Sequence, residues 1–449
     1  MHWSFVALLM LTYSSASWST AKIEHWQTKH GGQVYYAHTD GLPLADIQVV
    51  FDAGSARDGA QEGLSALTTA LLDTGAGQWN ADEIAQRFES VGAQFGASSS
   101  IDMASLSLRT LTDKVLFDKA LATMQVILAK PSFAEADFQR EKNRTLAALK
   151  QREESPAEIA SMAFFNQLYR QHPYAHPTAG QLTSVSALKA QDVRYFYNSY
   201  FVAANARVVI VGDVAKQQAE EVAEMLLEGL SIGQKPEPLL DVVMPAKASQ
   251  QHIEFPSTQT HVLVGLPGMS RKDSDYFDLY VGNHILGGGG LVSKLFDEVR
   301  EKRGLAYSAS SAFMPMLRPG PFMVSLQTRN DQTQQALQVL NNTLTDFIVK
   351  GPSESELMAA KKNITGGFAM RFDTNKKLAN YVAMIGFYGL PLDYLDQFQK
   401  KIDAVTIASV ADAFKRRVDP KLLQTITVGK SSVPTKTSRK SERKGRSHR

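Results

Sequence analysis

The sequence predicts an α+β fold in which one domain design is written twice. Three observations carry that expectation. A strand-like run, a charged turn and a long helical stretch occur in each half. An amphipathic helix that ends at a Gly and leads into a small-residue strand also occurs in each, and each half closes on a short apolar strand. The paired segments are offset by roughly 215 residues, and a repeat at one fixed spacing is the mark of duplicated domains.

Residues 1–21, MHWSFVALLMLTYSSASWSTA, join about nine apolar residues (Phe5 to Tyr13) to small residues suited to cleavage, a pattern that predicts a signal peptide. Nine residues fall short of the roughly 20 that span a bilayer, and no other segment is long and apolar enough, so the expectation is an exported protein without a transmembrane segment. The positive flank is weak, with only His2 and the terminal amine.

The first domain is expected over 22–230. IQVVFDAGS (Ile47 to Ser55) reads as a strand, followed by Arg57, Asp58 and the helical stretch GLSALTTALLDTGAG (Gly63 to Gly77). IAQRFESVGAQFGASSS (Ile84 to Ser100) reads as helix, Gly stop and strand, and ARVVIVGD (Ala206 to Asp213) as the closing strand. Residues 231–251 contain three Pro among mixed polarity, the composition of a linker. In the second domain, 252–430, the counterparts are HVLVGLPGMS (His261 to Ser270), LFDEVREKRGLAYSASS (Leu295 to Ser311) and QTITVGK (Gln424 to Lys430).

The tail, 431–449, carries seven Lys and Arg against one Glu, a charge of +6 in a chain of net +3, so the remainder is about −3. With Val433 as its one branched apolar residue, the tail is expected to be a disordered basic end, left either solvated or in weak contact with acidic headgroups or a partner. Nothing in the body points to nucleic acid. The absence of Cys fits an oxidising compartment without disulfides and equally a cytosolic one.

Four segments carry a resemblance to a known family: the stretch around Gly63 and Leu64, HPYAHPTAG (His172 to Gly180), VRYFYNSYFVAANARVVIVGDV (Val193 to Val214) and, most specifically, LGGGGLVSKLFDEVREKRGLAYS (Leu286 to Ser308). Together the chain resembles the M16 (pitrilysin, or insulinase-like) peptidases, in particular the bacterial half-length M16B members. The resemblance implies two LuxS/metallohydrolase-like domains, each a mainly antiparallel sheet packed with helices.

Catalytic members carry HxxEH on the first long helix. Two His on one helical face and a distant Glu bind zinc, and the Glu between them activates a water. Aligning the preceding Gly-Leu with Gly63 and Leu64 puts those five positions on Ala66, Leu67, Thr68, Thr69 and Ala70, and matching a downstream Pro to Pro156 puts the distant ligand on Ala148. Ala66, Thr69, Ala70 and Ala148 are therefore a degenerate zinc motif. Glu141, Glu153 and Glu154 lie nearby, but a lone Glu makes no site, and Pro173 and Pro177 disfavour a helix that would pair His172 with His176. The other His residues, at 25, 30, 38, 252, 261 and 284, form no motif. No metal and no cofactor are expected in this chain; Leu64, Leu67, Leu71 and Leu72 keep the helical apolar spacing that packing requires.

In the second half, Leu291, Val292, Leu295, Phe296 and Val299 read as the core stripe of a helix stopping at Gly304, with Arg300 near its last turn and Tyr307 opening a strand. Physics alone gives Arg300 a role against the helix dipole and Tyr307 a strand preference. The resemblance adds a catalytic role: an Arg and a Tyr at this spacing hydrogen-bond substrate near the scissile carbonyl, where negative charge develops. Gly287, Gly288, Gly289 and Gly290 lack a following GK[ST], which argues against a phosphate loop. They suit close backbone approach, in helix packing or, as the resemblance implies, beside bound substrate.

The function expected is that of the non-zinc subunit of a heterodimeric M16B metallopeptidase in the periplasm, with membrane association left open. It would supply Arg300 and Tyr307 to an HxxEH-bearing partner that holds the zinc and cleaves peptides or unfolded segments. The alternative is a non-catalytic periplasmic peptide-binding or scaffold protein. A Ser hydrolase is disfavoured by the lack of a Ser elbow.

Overall fold

The computed structural model describes residues 22–431, and the segment read as a signal peptide and the basic tail beyond Ser431 lie outside them. The first half contains β1 (Ile23–Gln27), β2 (Gln33–His38), β3 (Leu44–Phe51), α1 (Leu64–Ala70), a short hairpin of β4 (Gly75–Ala76) and β5 (Trp79–Asn80), α2 (Ala81–Glu89), β6 (Gln94–Ser99) and β7 (Ala104–Leu111). It continues through α3 (Lys114–Ala129), α4 (Glu135–Arg152), α5 (Pro156–Tyr169), α6 (Leu182–Ala187), α7 (Ala190–Tyr200), β8 (Ala206–Gly212) and α8 (Lys216–Leu227). Six strands form one sheet in the order β1-β2-β8-β3-β7-β6, antiparallel throughout except for β2 beside β8.

The second half repeats the plan. It runs β9 (Ser249–Glu254), β10 (Gln259–Met269), α9 (Tyr276–Asn283), α10 (Lys294–Phe296), β11 (Ala306–Phe313), β12 (Gly320–Arg329), α11 (Thr333–Lys350), α12 (Glu354–Gly366), α13 (Asn375–Tyr388), α14 (Tyr394–Ala404), α15 (Ile407–Arg417) and β13 (Gln424–Gly429). Its sheet has the order β11-β12-β10-β13-β9, again antiparallel except for its last pair. β9 opens at Ser249, inside the segment expected as linker, because it pairs in register with β13 from Gln424↔Ser249 onward. The architecture is α+β with two antiparallel-rich sheets.

The halves interleave. Val208 and Ile210 of β8 point into the core of their own half, whereas Val209 and Val211 join the core built by the second half. That second face is covered by α13, whose Gly386 lets the Tyr35 ring approach so closely that a Cβ there would stand 2.6 Å from it. Covering both faces explains the unbroken apolar run of this strand. Reciprocally, α5 of the first half packs on β10 and β13, with Phe164 and Leu168 against Ile426 and Val428. Where the halves meet, Asp102, 3% exposed, accepts hydrogen bonds from Tyr174 Oη (2.7 Å), Tyr388 Oη (3.1 Å) and the Leu317 N–H (2.8 Å).

The connection between halves has no regular secondary structure over 231–248, yet it is tied down. Its carbonyls accept from Arg57 Nη1 at Glu237 (2.7 Å), from Arg318 Nε at Leu239 (2.8 Å) and from His172 Nε2 at Leu240 (3.0 Å). His172 Nδ1 accepts the Tyr174 N–H, which fixes the ring proton on Nε2, and burial lowers the pKa so that the neutral ring is favoured. The two His of HPYAHP flank a 3-10 turn, Pro173–Ala175. Among the described residues no helix is long and apolar enough to cross a membrane.

Candidate functional site

Two places carry the chemistry singled out in the sequence, and both lie beside the free edge of a sheet. α1 packs against β6, the outermost strand of the first sheet. Its N-terminus is held by Asp58, whose carboxylate accepts from Gly63 N (2.8 Å) and Ser65 N (2.7 Å). Burial pushes this carboxyl up to about 8, against the pull of those N–H donors. Ser65 Oγ donates to Ala53 O (2.6 Å) and pairs with Ser99 Oγ (2.6 Å), fixing the helix to β6. Leu64, Leu67, Leu71 and Leu72 are all buried, as their spacing requires.

The zinc-motif positions, Ala66, Thr69 and Ala70 on α1 and Ala148 on α4, are chemically blank. Ala70 and Ala148 are exposed and Ala66 is half-buried, and none has a lone pair to offer a metal. Thr69 is buried and its hydroxyl donates to Ser65 O at 2.8 Å, so it is a structural donor and no substitute for a general base. Glu141 pairs with Arg144 (3.4 Å) and Arg140 (3.7 Å). Among the described residues there is no group of three or more His, Asp or Glu placed to hold a metal. The residues at the zinc motif do not fit zinc.

The second place is the outer edge of the other sheet, β11. Its pairing with β12 shifts between Ala306 and Ala309, so Tyr307 and Ser308 together oppose the single residue Gln327. Such a bulge re-aims a side chain, and Tyr307 stands 79% exposed. Arg300, on the preceding helical segment, lies over it, with Cζ 4.6 Å from the Tyr307 ring centroid and 4.8 Å from that of Phe296. The Arg300 side chain is 34% exposed, and its nearest acid is Glu301, at 3.7 Å. Stacking between two rings restrains the guanidinium while leaving its N–H fork and the phenol open to an incoming acceptor.

The segment that delivers Arg300 differs from the expected helix. Leu295, Phe296 and Val299 are buried, but Leu291 and Val292 are 73% and 82% exposed and belong to no core stripe. Gly290 at φ +66° and Ser293 in an extended conformation break the helical path, isolating Gly290–Val292 as a 3-10 turn. The helix resumes at Lys294 and widens into a π turn over Asp297–Glu301. Gly304 at φ +60° ends it, with Gly304 N–H bonded to Arg300 O (2.8 Å) and Leu305 N–H to Val299 O (2.9 Å).

The four glycines do different things. Gly287 is buried where a Cβ would overlap the backbone N and Oγ of Ser311 on β11, while Gly290 has open space around it. Gly287→Val is expected to lower stability by about 3 kcal/mol through overpacking, and Gly290→Ala by about 1 kcal/mol through its left-handed backbone. Equilibrium denaturation of the two variants checks the contrast, and equal losses would remove the packing role given to Gly287.

Residues 33–182 match the sequence profile of insulinase (peptidase family M16), and residues 187–364 match that of the peptidase M16 inactive domain. The solved structure of a peptidase M16 inactive domain from Pseudomonas fluorescens is 32% identical and superposes with a TM-score of 0.89, covering 92% of this chain and 99% of that one. The chain belongs to peptidase family M16. Within M16 it is also similar to the "non-peptidase homolog YmxG" of Helicobacter pylori, 26% identical over 392 residues, 86% of this chain and 89% of that protein. A Rickettsia felis protein named an uncharacterized zinc protease is 24% identical over 338 residues, 74% of this chain and 80% of that one. With Ala66, Thr69, Ala70 and Ala148 at its zinc motif, this is an M16 chain of the inactive type. What sequence reading missed in it is the bulge at Tyr307 and Ser308, which is set by the register of β11 against β12.

Proposed function

We propose that this chain is the non-zinc subunit of a two-chain M16B metallopeptidase. The observation that supports this reading best is the Arg300–Tyr307 pair, stacked, solvent-open and presented by a bulge on a free strand edge. A guanidinium fork and a phenol side by side can both donate to one carbonyl oxygen, and such donors stabilise the oxygen as it becomes negative. The free edge offers unpaired N–H and C=O groups to an extended peptide. Zinc and the general base come from an HxxEH-bearing partner, since α1 lacks both. Export by residues 1–21 places the pair in the periplasm, and unfolded segments or peptides are the substrates.

The test is peptide cleavage by this chain, by an HxxEH half-length partner, and by their mixture. Cleavage by the mixture well above that of the partner alone is the expected result. If the chains do not associate, or mixing adds nothing, the shared-site reading fails. The resemblance to a protein named a non-peptidase homolog would then favour the second reading, a peptide-binding or scaffold protein.

A further inference from the structure

A cavity of about 420 Å³ opens where the turn after β10 meets the end of α13 and the start of α14. It shares no residue with α1 or with the Arg300–Tyr307 edge. Its lining includes three aromatic rings, Tyr276, Phe277 and Tyr394, and three cations, Arg271, Lys272 and Lys401. Tyr276 and Phe277 meet edge to face at 5.1 Å, and Phe277 lies 6.2 Å from Tyr394, so these rings form a continuous wall.

The three cations form no ion pair among the described residues. Arg271 lies between the rings of Tyr276 and Tyr388, with Cζ 5.7 and 5.3 Å from their centroids. A guanidinium has five N–H donors, yet the one side-chain acceptor Arg271 finds among the described residues is Tyr276 Oη, at 3.2 Å from Nη1. Its Nε is buried without a partner. None of Arg271, Lys272 and Lys401 has a carboxylate within 4.0 Å among the described residues. Two acids also line the cavity: Asp273 is engaged by Arg417 (2.7 Å) and the Asp275 N–H (3.0 Å), whereas Asp393 accepts from the neighbouring lining residue Gln397 (Nε2, 3.2 Å) and keeps its charge, so the lining is net cationic by one. A net cationic lining whose cations form no ion pair, beside an aromatic wall, matches a ligand that has one anionic end and an apolar body. An inorganic anion would leave the wall unused, and a neutral aromatic would leave the cations unpaired.

We propose that this cavity binds a carboxylate carried on an apolar body, either a free aromatic acid or the C-terminal residue of a peptide. The carboxylate takes N–H donors from Arg271 and the two lysines, and the side group lies against Tyr276, Phe277 and Tyr394. This site is independent of the peptidase reading and survives its failure.

Calorimetric titration of the full chain tests it, with phenylacetate, benzyl alcohol, inorganic phosphate, and a ten-residue peptide ending in Phe as the free acid and as the amide. The expected result is saturable binding of at least one acid, with benzyl alcohol, phosphate and the amide at least tenfold weaker. The double substitution Lys272→Gln, Lys401→Gln should weaken binding about tenfold without altering the circular dichroism or Tm, because both lysines are exposed. Arg271→Gln should weaken it further where the protein folds, and the lysine variant keeps the test open where it does not. Binding of phenylacetate alone assigns the site to free acids, and binding of the peptide acid alone assigns it to chain ends. No saturable binding of either acid, equal binding of the neutral probes, or binding unmoved by the lysine substitutions overturns the proposal.

Discussion

Arg300→Ala is expected to lower kcat/KM of the mixed peptidase about 10²- to 10³-fold, the scale of losing one preorganised donor to a developing oxyanion. Tyr307→Phe separates chemistry from packing. It keeps the ring on which the Arg300 guanidinium stacks at 4.6 Å and removes only the hydroxyl, so a donor role predicts a fall in kcat with the fold and the partner affinity unchanged. Because Tyr307 is 79% exposed, Tyr307→Phe opens no cavity. Steady-state kinetics together with a binding assay for the two chains decide the matter. Full activity in Tyr307→Phe would reduce the tyrosine to a platform for Arg300, and full activity in both variants would remove the pair from the reaction.

The second large effect is structural. Asp102→Ala removes one acceptor from two tyrosine hydroxyls and a backbone N–H, all buried where the halves meet. Leaving those donors unpaired is expected to destabilise the protein by about 3 to 5 kcal/mol, and Asp102→Asn, which keeps one acceptor oxygen, by about half as much. The pH dependence has a definite sign. Burial raises the Asp102 pKa above its ordinary value, more than the hydrogen bonds from Tyr174 and Leu317 lower it. The folded chain therefore holds this proton more tightly than the unfolded chain, and the residue's contribution is greatest at low pH and declines as pH rises through the folded pKa. Denaturant unfolding of wild type and Asp102→Asn from pH 5 to pH 8 should show their difference shrinking with pH. A constant difference would mean that the three donors cancel the effect of burial.

Much of this architecture is legible in the sequence because it rests on local pattern. The alternation and apolar runs at Ile47, Ala206, His261 and Gln424 mark strands of both sheets, and once the resemblance places the zinc motif, residue identity shows it blank, since Ala offers a metal nothing. The Arg300 and Tyr307 spacing is also readable, but only through the resemblance; their stacking depends on a bulge set by the register against β12. Leu291 and Val292 illustrate the limit of periodicity: they fit a helical stripe, yet backbone angles at Gly290 and Ser293 take them out of the helix. The strap across the halves was unreadable because Arg57, His172 and Arg318, which hold it, lie far from it in sequence.

The exchange of α5 and α13 between the sheets also governs how the chain acquires its structure. The face of the first sheet that holds Tyr35, Val50, Val209 and Val211 is buried in the second half's core, where α13 packs on it. That helix begins about 160 residues after β8 ends. During synthesis this apolar face therefore stays wet until most of the protein has emerged, and its closure needs contacts of long sequence separation, which slow folding. Neither half released alone has a finished surface, so cutting the gene at the strap should yield two aggregating fragments, and the intact chain should melt in one transition.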